Sequence, residues 1–404
     1  MHELIAQLRD TQKILLDATD IAFKRFLYSQ IDFSQRLIGI VGPRGVGKTT
    51  LILQYVKEHY RDSDKALYLL ADSVLFRRGD LLTLAREFYF RHEGELICID
   101  EIHRYENWNQ ELKNVYDTLP GLKVIFTGSS SLNLVKGKYD LSRRGVLYQL
   151  PGLSFREYLA LSKGMAVDVL PSDKLLRDPP AASSRLASRT ILKEFSEYLE
   201  VGYYPFFRET RMRNLYYQQV LTTIDKVVYE DIASCYQLKT ENLTAFKQIL
   251  SFLATISPGE VNVHKLARSI GKNDATAAAY LEIMREAGLV RFLSSNKAGH
   301  ALVRHAKKVF VDNPNLLFAM NHAMGKQTEL GTLRELFALN QLQNAGSVPL
   351  YTNEGDIEVD GMVFEIGGKG KRARPTQKNS YRVLDDILAA DRTTIPLYLF
   401  GFLY

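Results

Sequence analysis

The sequence predicts a doubly wound α/β fold for the first third of the chain, on three observations. Short apolar runs at Arg36–Gly42, Ala66–Leu70, Leu96–Ile99 and Lys123–Thr127 alternate with stretches of helical periodicity. Strand–helix alternation of this kind builds a parallel sheet with helices on both faces. The first run leads into Gly42-Pro-Arg-Gly-Val-Gly-Lys-Thr49, a glycine loop between a strand and a helix, and the third ends in the acid pair Asp100-Glu101. The carboxyl ends of the strands are where open α/β sheets place their ligands.

At 404 residues the chain has room for roughly two to four domains. Its 46% hydrophobic and 24% charged residues are those of a globular protein and exclude a mostly disordered chain. The net charge of +6 permits a phosphate or nucleic-acid partner without requiring one. Cys98 and Cys235 stand far apart with no metal-type spacing, which argues against a disulfide-stapled secreted fold. The N-terminus lacks an apolar signal-peptide core, and no uncharged apolar stretch is long enough for a membrane helix. A soluble, cytoplasmic protein without membrane contact is expected.

Residues 1–35 carry helical spacing at Leu4, Ile5, Leu8, Ile14, Leu15, Ala18, Ile21 and Ala22. The α/β core is expected over 36–152. A helical lid follows over 153–244, with helices at 154–163, 189–201 and 211–236 and an exposed, proline-containing connection at 171–188. Residues 245–311 read helix, helix, helix, strand, turn, strand, which is the winged-helix order. Residues 312–404 begin with helices at 315–324 and 330–344. They continue with extended runs at 349–351, 357–359, 362–366 and 396–402, and Asp360-Gly361 marks a hairpin.

The loop fits the phosphate-binding pattern GxxxxGK[ST] in full. Gly42, Pro43, Arg44, Gly45, Val46, Gly47, Lys48, Thr49 and Thr50 are therefore the candidate nucleotide-binding residues. Glycines let successive amides face the phosphates, and the helix N-terminus adds its dipole. Lys48 reaches the β- and γ-phosphates, and Thr49 offers a hydroxyl to Mg²⁺. Asp100 is the second candidate metal residue. Glu101 is placed to polarise the attacking water, since phosphoryl transfer needs mainly orientation and charge neutralisation. At the end of the next strand, Ser129 is the first choice, and Thr127 the second, for a hydroxyl near the γ-phosphate. Arg143 and Arg144 follow a further helical stretch; either, with Arg144 preferred, is a candidate to enter a neighbouring subunit's site and stabilise phosphoryl charge. His103 either approaches the γ-phosphate or makes a structural hydrogen bond.

Taken in order, GPRGVGKT, LICIDEIHRYENW, VIFTGSSSLNL, DLSRRG and LPGLSFREYL resemble a large group of prokaryotic AAA+ ATPases that carry a C-terminal region of unknown function. The resemblance runs along nearly the whole chain, including Gly202-Tyr-Tyr-Pro205 and Ile395–Tyr404. It implies ATP on the 42–49 loop, Mg²⁺ at Asp100, a catalytic Glu101 and an arginine at Arg144. The family pattern has glycine where this chain has Arg143, so the choice of arginine stays open. The resemblance also implies a winged helix followed by an α+β domain similar to restriction-type endonucleases.

From Gly288 to Val311 the chain has no Asp or Glu but holds Arg291, Lys297, Arg304, Lys307 and Lys308. Such a patch would track a phosphate backbone. The expected recognition helix, from Asn273, offers only Asn273, Thr276 and Tyr280 to base edges, so DNA contact without sequence specificity is expected. A second basic run contains Lys369, Lys371, Arg372 and Arg374. Restriction-type nucleases pair an acid with a (D/E)xK strand. Here Glu365-Ile is followed by Gly367, Glu335 could supply another acid, and Lys369 would return to the same face displaced by about 6.6 Å. That predicts a degenerate, non-cutting nuclease fold.

The sequence thus predicts a Mg²⁺-dependent ATP hydrolase that drives a cycle of binding or remodelling on DNA. A homo-oligomer is expected, most sharply a hexamer acting on duplex or branched DNA. The competing readings are a nucleotide-dependent signalling switch without DNA translocation and an ATP-coupled nuclease.

Overall fold

The computed structural model describes residues 1–61, 63–74, 76, 80–129, 143–188, 190–210, 212–236, 238–256, 262–295, 306–371 and 379–404. The chain divides into two compact units, Met1–Pro151 and Gly152–Tyr404.

The first unit is built on five strands: β1 (Leu37–Val41), β2 (Ala66–Leu70), β3 (Leu96–Asp100), β4 (Lys123–Gly128) and β5 (Val146–Gln149). Their order is β2-β3-β4-β1-β5 and every pairing is parallel. Four of these strands are the apolar runs of the sequence. The fifth was not foreseen: three of its four residues are exposed, so it carries neither an apolar run nor a clean alternation. Helices α1 (His2–Ala18), α2 (Lys48–His59), α3 (Leu81–Arg91) and α4 (Trp108–Thr118) accompany the sheet. Leu67, Leu69, Ile97, Ile99 and Phe126 pack with Leu84, Phe88, Leu112 and Val115 of the helices. β4 lies between β3 and β1, so the ends of the glycine-loop strand and the acid strand flank a common neighbour.

The helical spacing expected to continue through Ala22 stops at Ala18. The Asp20 carboxylate accepts from Ala22 N at 2.8 Å, a local turn that competes with helix.

In the second unit, α5 (Phe155–Lys163) starts at a reciprocal cap between Ser154 and Glu157. The stretch expected to be an exposed connection instead forms α6 (Ser172–Arg177) and α7 (Pro179–Leu186). Asp178 caps α7 at Ala181 N, and Pro179 occupies its first turn, where a missing N–H costs nothing. Next come α8 (Ile191–Val201) and α9 (Arg213–Lys226), which runs on through a π-helical segment, Val227–Ile232, into α10 (Ala233–Tyr236).

Three further helices, α11 (Thr240–Thr255), α12 (Val263–Ser269) and α13 (Asp274–Glu286), precede the antiparallel pair β6 (Val290–Ser294) and β7 (Ala306–Val311). Helices α14 (Pro314–Ala323) and α15 (Leu330–Asn344) follow. A last sheet has the order β11-β10-β9-β8, with β8 (Ile357–Val359) antiparallel to β9 (Met362–Gly368). Asp360 and Gly361 both take positive φ, 51° and 77°, as a two-residue type I′ turn requires.

β10 (Ser380–Asp385), parallel to β9, was not anticipated. The run 396–402 is only partly extended: β11 (Thr394–Pro396) gives way to a 3₁₀ turn over Leu397–Phe402. One aromatic cluster joins Phe155, Phe195, Tyr198, Phe337 and Phe402. Buried Asn315 ties it to the backbone, accepting from Tyr203 N at 2.7 Å and donating to Leu199 O at 2.8 Å. Residues from the segments 153–244, 245–311 and 312–404 therefore share one compact body.

Candidate functional site

The glycine loop runs from β1 into α2, and its glycines are required by space and by backbone. A Cβ on Gly42 would lie 2.1 Å from the Leu150 carbonyl oxygen at the end of β5. Gly47, the N-cap of α2, has φ 95°, a left-handed value that L side chains avoid. Arg25 braces the loop from beneath: its buried guanidinium donates to the carbonyls of Val46 and, at 2.7 Å, Pro151. An isolated arginine between two helical patterns carries no local signal.

Lys48 is buried, and its ammonium donates to the carbonyls of Gly42 (2.9 Å) and Pro43 (3.0 Å). Thr49 donates to Asp100 Oδ2 at 2.6 Å. The two candidate metal residues, 51 positions apart, are thus in direct contact. Asp100 is only 2% exposed and is compensated by neutral donors: Tyr68 OH at 2.8 Å on Oδ2, and Thr127 Oγ1 on Oδ1. Hydrogen bonds to a charged acceptor contribute about 1.5–3 kcal/mol each, which offsets much of its desolvation. Burial, followed by the charge of Asp100, pushes the Tyr68 phenol far above its ordinary range, so it remains a donor.

Thr127 also accepts from Glu101 N at 2.9 Å. The hydroxyl that meets the acids is therefore the second choice, Thr127; Ser129 is buried just beyond β4. Glu101 has φ 54° and ψ 42°, a left-handed conformation outside its usual range. Arg44 of the loop lies 3.8 Å from Glu101 Oε2, and His103 Nε2 lies 3.5 Å from the same oxygen. Thr50 is exposed.

Arg144 makes a two-point contact with Asp117 at the end of α4, Nε to Oδ1 at 2.9 Å and a second guanidinium nitrogen to Oδ2 at 3.2 Å. The Arg144 hydrogen bond holds the Asp117 carboxyl below its ordinary range. Arg143 is exposed. β1 pairs Ile38 with Val146, so Arg144 lies at the amino ends of the strands. The loop begins at their carboxyl ends, about 20 Å away along the strand direction.

In the second unit the structure separates the basic candidates. Arg291 is turned inward, with Nε 2.7 Å from Asp312 O and 3.0 Å from Asp312 Oδ1, and with further bonds to Gln343 and Asn344. Lys308 pairs with Glu335 at 2.6 Å. These two side chains are committed to internal anions, which corrects their expected role on a DNA-facing wing. Lys307 is half-buried, whereas Lys369 is exposed and pairs with Asp386 at 2.7 Å. Lys297, Arg304, Arg372 and Arg374 lie outside the described residues.

Lys371 is the lysine that meets the nuclease-type acids. Its ammonium is 2.8 Å from Glu365 Oε1 and 2.9 Å from Asp356 Oδ2, and Lys308 approaches Asp356 Oδ1 at 3.8 Å. The glycine that broke the expected (D/E)xK spacing makes this possible. A Cβ on Gly367 would fall 2.2 Å from Lys371 Cδ, so the lysine stem lies where a side chain at 367 would project. Asp356 lies in no recognisable motif, and Lys369, the nearer lysine, is turned to Asp386.

Burial pulls the Lys371 ammonium toward neutrality, but Glu365 and Asp356 outweigh it and hold its pKa above the ordinary value. Burial raises the Glu335 carboxyl, partly opposed by Lys308. Among the described residues, no group of three or more His, Cys, Asp or Glu is placed to hold a metal ion, and no helix is long and apolar enough to cross a membrane.

The parallel sheet, the glycine loop and the acids beside it define a P-loop protein of the AAA type. Residues 34–159 match the model of the AAA domain, and residues 192–325 match the Domain of unknown function (DUF8612). The chain therefore carries an AAA domain and, after it, a domain of unknown function. It is 26% identical over 306 residues to an uncharacterised protein of Methanocaldococcus jannaschii, an alignment that takes in 72% of this chain and 63% of that one. The chain thus spans less than two thirds of the length of this relative.

Solved structures with a likeness include DnaA from Aquifex aeolicus bound to AMPPCP (15% identity, 64% of this chain and 84% of that chain, TM-score 0.26). They also include the replication initiator DnaA bound to AMPPCP and single-stranded DNA (15%, 69% and 86%, 0.27) and PCH-2 of C. elegans (18%, 40% and 44%, 0.23). Scores of this size carry no functional inference to this chain.

Proposed function

We propose that this protein is a Mg²⁺-dependent ATP hydrolase that acts on DNA as a homo-oligomer. The observation that carries the hydrolase reading is the contact between Thr49 and Asp100 at the mouth of the phosphate loop. One carboxylate and one hydroxyl suit Mg²⁺, which takes few protein ligands and completes its shell with phosphate oxygens and water. When bound, the ion would neutralise charge on the β- and γ-phosphates. Lys48 exchanges two carbonyl acceptors for phosphate oxygens, the loop amides orient the triphosphate, and Glu101 orients the water. Lys48→Ala should abolish binding of ATP. Glu101→Gln should bind ATP and lose hydrolysis by about a hundredfold or more; equal turnover would mean that Glu101 does not position the water.

The position of Arg144 supports a homo-oligomer, a hexamer in its sharpest form. At the amino ends of the strands it is too far to reach its own loop, and it would have to leave Asp117 to serve the pocket of a neighbouring chain. The net charge of +6 and the helix–helix–helix–hairpin order of 240–311 support a winged helix and DNA contact without sequence specificity. Lys369, exposed beside Asp386, and the basic residues outside the described segments are the candidates to make it. ATPase rates with single-stranded, duplex and branched DNA, alongside mass in solution with a non-hydrolysable nucleotide, test this reading. Turnover indifferent to all three DNAs would favour a signalling switch.

A second reading, an ATP-coupled nuclease, is favoured by the meeting of Asp356, Glu365 and Lys371. The first reading predicts no nicking of supercoiled plasmid in Mg²⁺ or Mn²⁺. Nicking that Glu365→Ala abolishes would establish the second.

A further inference from the structure

Arg291 and Lys308 of the β6–β7 hairpin face internal acids, but two cations of the preceding helix do not. Lys265 and Arg268 stand three positions apart on one side of α12; both are exposed, and neither meets an acid among the described residues. From Val261 to Asn273 the chain has no Asp or Glu but holds Lys265, Arg268 and Lys272. Lys272 donates to Asn242 Oδ1 at 3.0 Å, a neutral partner that leaves its charge uncompensated. The first acid beyond this stretch, Asp274, is held by His264, whose Nδ1 lies 3.1 Å from Oδ1. α13 follows after the turn 270–273, in which Gly271 has φ 64°. Its exposed positions include Ala275 and Ala279. Asn273 is engaged as the helix cap, accepting from Thr276 N at 2.8 Å. Tyr280, expected to meet base edges, is instead buried, with its ring stacked 4.7 Å from that of Phe246. α13 thus offers a groove short side chains that fit without reading it. The two buried rings give unstacked bases no platform, which favours a duplex over a single strand.

Resting on the DNA reading, we propose that α12 carries a phosphate-binding face for duplex DNA. Lys265 and Arg268, with Lys272 beside them, hold one backbone strand, and the alanine positions of α13 lie in the adjoining major groove. A helix pair joined by a short turn docks in this way, the first helix across the backbone and the second in the groove. Residues three apart on a helix have Cβ atoms about 5–6 Å apart, so the two cations can take neighbouring phosphates of one strand. Contact of this kind follows charge and not sequence.

The test is fluorescence anisotropy of two labelled duplexes of unrelated sequence with the full-length protein, over salt from about 0.05 to about 0.3 M. Lys265→Gln together with Arg268→Gln should weaken both duplexes alike, about ten- to a hundredfold at about 0.1 M salt. The slope of log affinity against log salt should become shallower by about 2, because two phosphates are no longer neutralised. Each single variant should take about half of that change in slope. Arg268→Lys should keep the slope, since counterion release follows charge. Lys174→Gln with Lys193→Gln, exposed cations of α6 and α8, removes the same net charge and should change the slope by less than about 0.5. The urea midpoint of the Lys265→Gln, Arg268→Gln protein should match wild type, as expected for exposed side chains without partners. An unchanged slope in that protein overturns the assignment to α12 and leaves the DNA reading standing; so does an equal change in the α6 and α8 pair. A wild type that binds neither duplex at about 0.05 M salt overturns the DNA reading, and this inference with it.

Discussion

The two units each gather acids away from water, but they compensate them differently. In the first, Asp100 is surrounded by the hydroxyls of Thr49, Tyr68 and Thr127, which supply hydrogen bonds and no net charge. In the second, Asp356, Glu365 and Glu335 are compensated by the ammonium groups of Lys308 and Lys371. A carboxylate held by neutral dipoles keeps its charge available to an added cation. A carboxylate already paired with lysine must surrender its partner first. The first arrangement suits a site that fills and empties with metal and nucleotide; the second suits a site whose charge is settled by the fold.

The largest expected effect tests the first half of this contrast. Asp100→Asn keeps the shape of the side chain but removes the charge. The three hydroxyls can rotate toward the remaining oxygen or toward water, so the change should cost about 1 kcal/mol of stability or less. Mg²⁺-dependent turnover should fall about a hundredfold or more, because the charge that holds the ion is lost. Turnover by a coupled assay and unfolding by urea separate the two quantities. A variant that unfolds readily but turns over normally would show that Asp100 serves the fold and not the metal.

The second half is tested by Lys308→Met. Its side chain is 12% exposed and that of its partner Glu335 16%. Removing one member of a buried pair leaves the other charge without compensation, which typically costs about 3–5 kcal/mol. Residual solvent contact reduces the expectation here to about 2 kcal/mol. The urea midpoint should fall with an unchanged m-value. Lys308→Met together with Glu335→Leu should recover most of the loss, because the pair then leaves as a unit. No recovery would mean that Lys308 acts mainly through Asp356.

The same contrast explains what was legible in the sequence. The first unit's groups lie at strand ends inside contiguous motifs, so Lys48, Thr49, Asp100 and Glu101 could be read from spacing, and Thr49 meets Asp100 directly. What spacing could not show were partners drawn from elsewhere, such as Tyr68 from β2 and Arg25 from the segment before β1. β5 escaped because its exposed faces leave no apolar pattern. In the second unit the acids and lysines come from β7, α15, the loop before β8, β9 and the turn after β9. A rule that expects lysine two positions after the acid assumes that the strand continues. Here the chain turns, with Lys371 N on Gly368 O at 2.9 Å, and brings a later lysine back over Gly367. Likewise, counting basic residues between 288 and 311 could not reveal that Arg291 and Lys308 face internal acids.

The smallest expected effect concerns pH. Burial raises the folded-state pKa of Glu335 above its ordinary value, against the opposing pull of Lys308. A carboxyl with a raised folded pKa binds its proton more tightly in the native state than in the unfolded chain. Its linkage term therefore adds stability as pH falls through the folded pKa toward the ordinary glutamate range, and that gain is absent at neutral pH. In Glu335→Gln the titrating group is gone. The stability of wild type relative to Glu335→Gln, from urea midpoints in steps between pH 7 and pH 4, should therefore rise steadily toward acid. A difference that stays flat would mean that Lys308 fully offsets the burial of Glu335. A difference that shrinks toward acid would mean that the lysine outweighs burial, and the settled charge of the second unit would then favour the ionised acid as strongly as the hydroxyls favour Asp100.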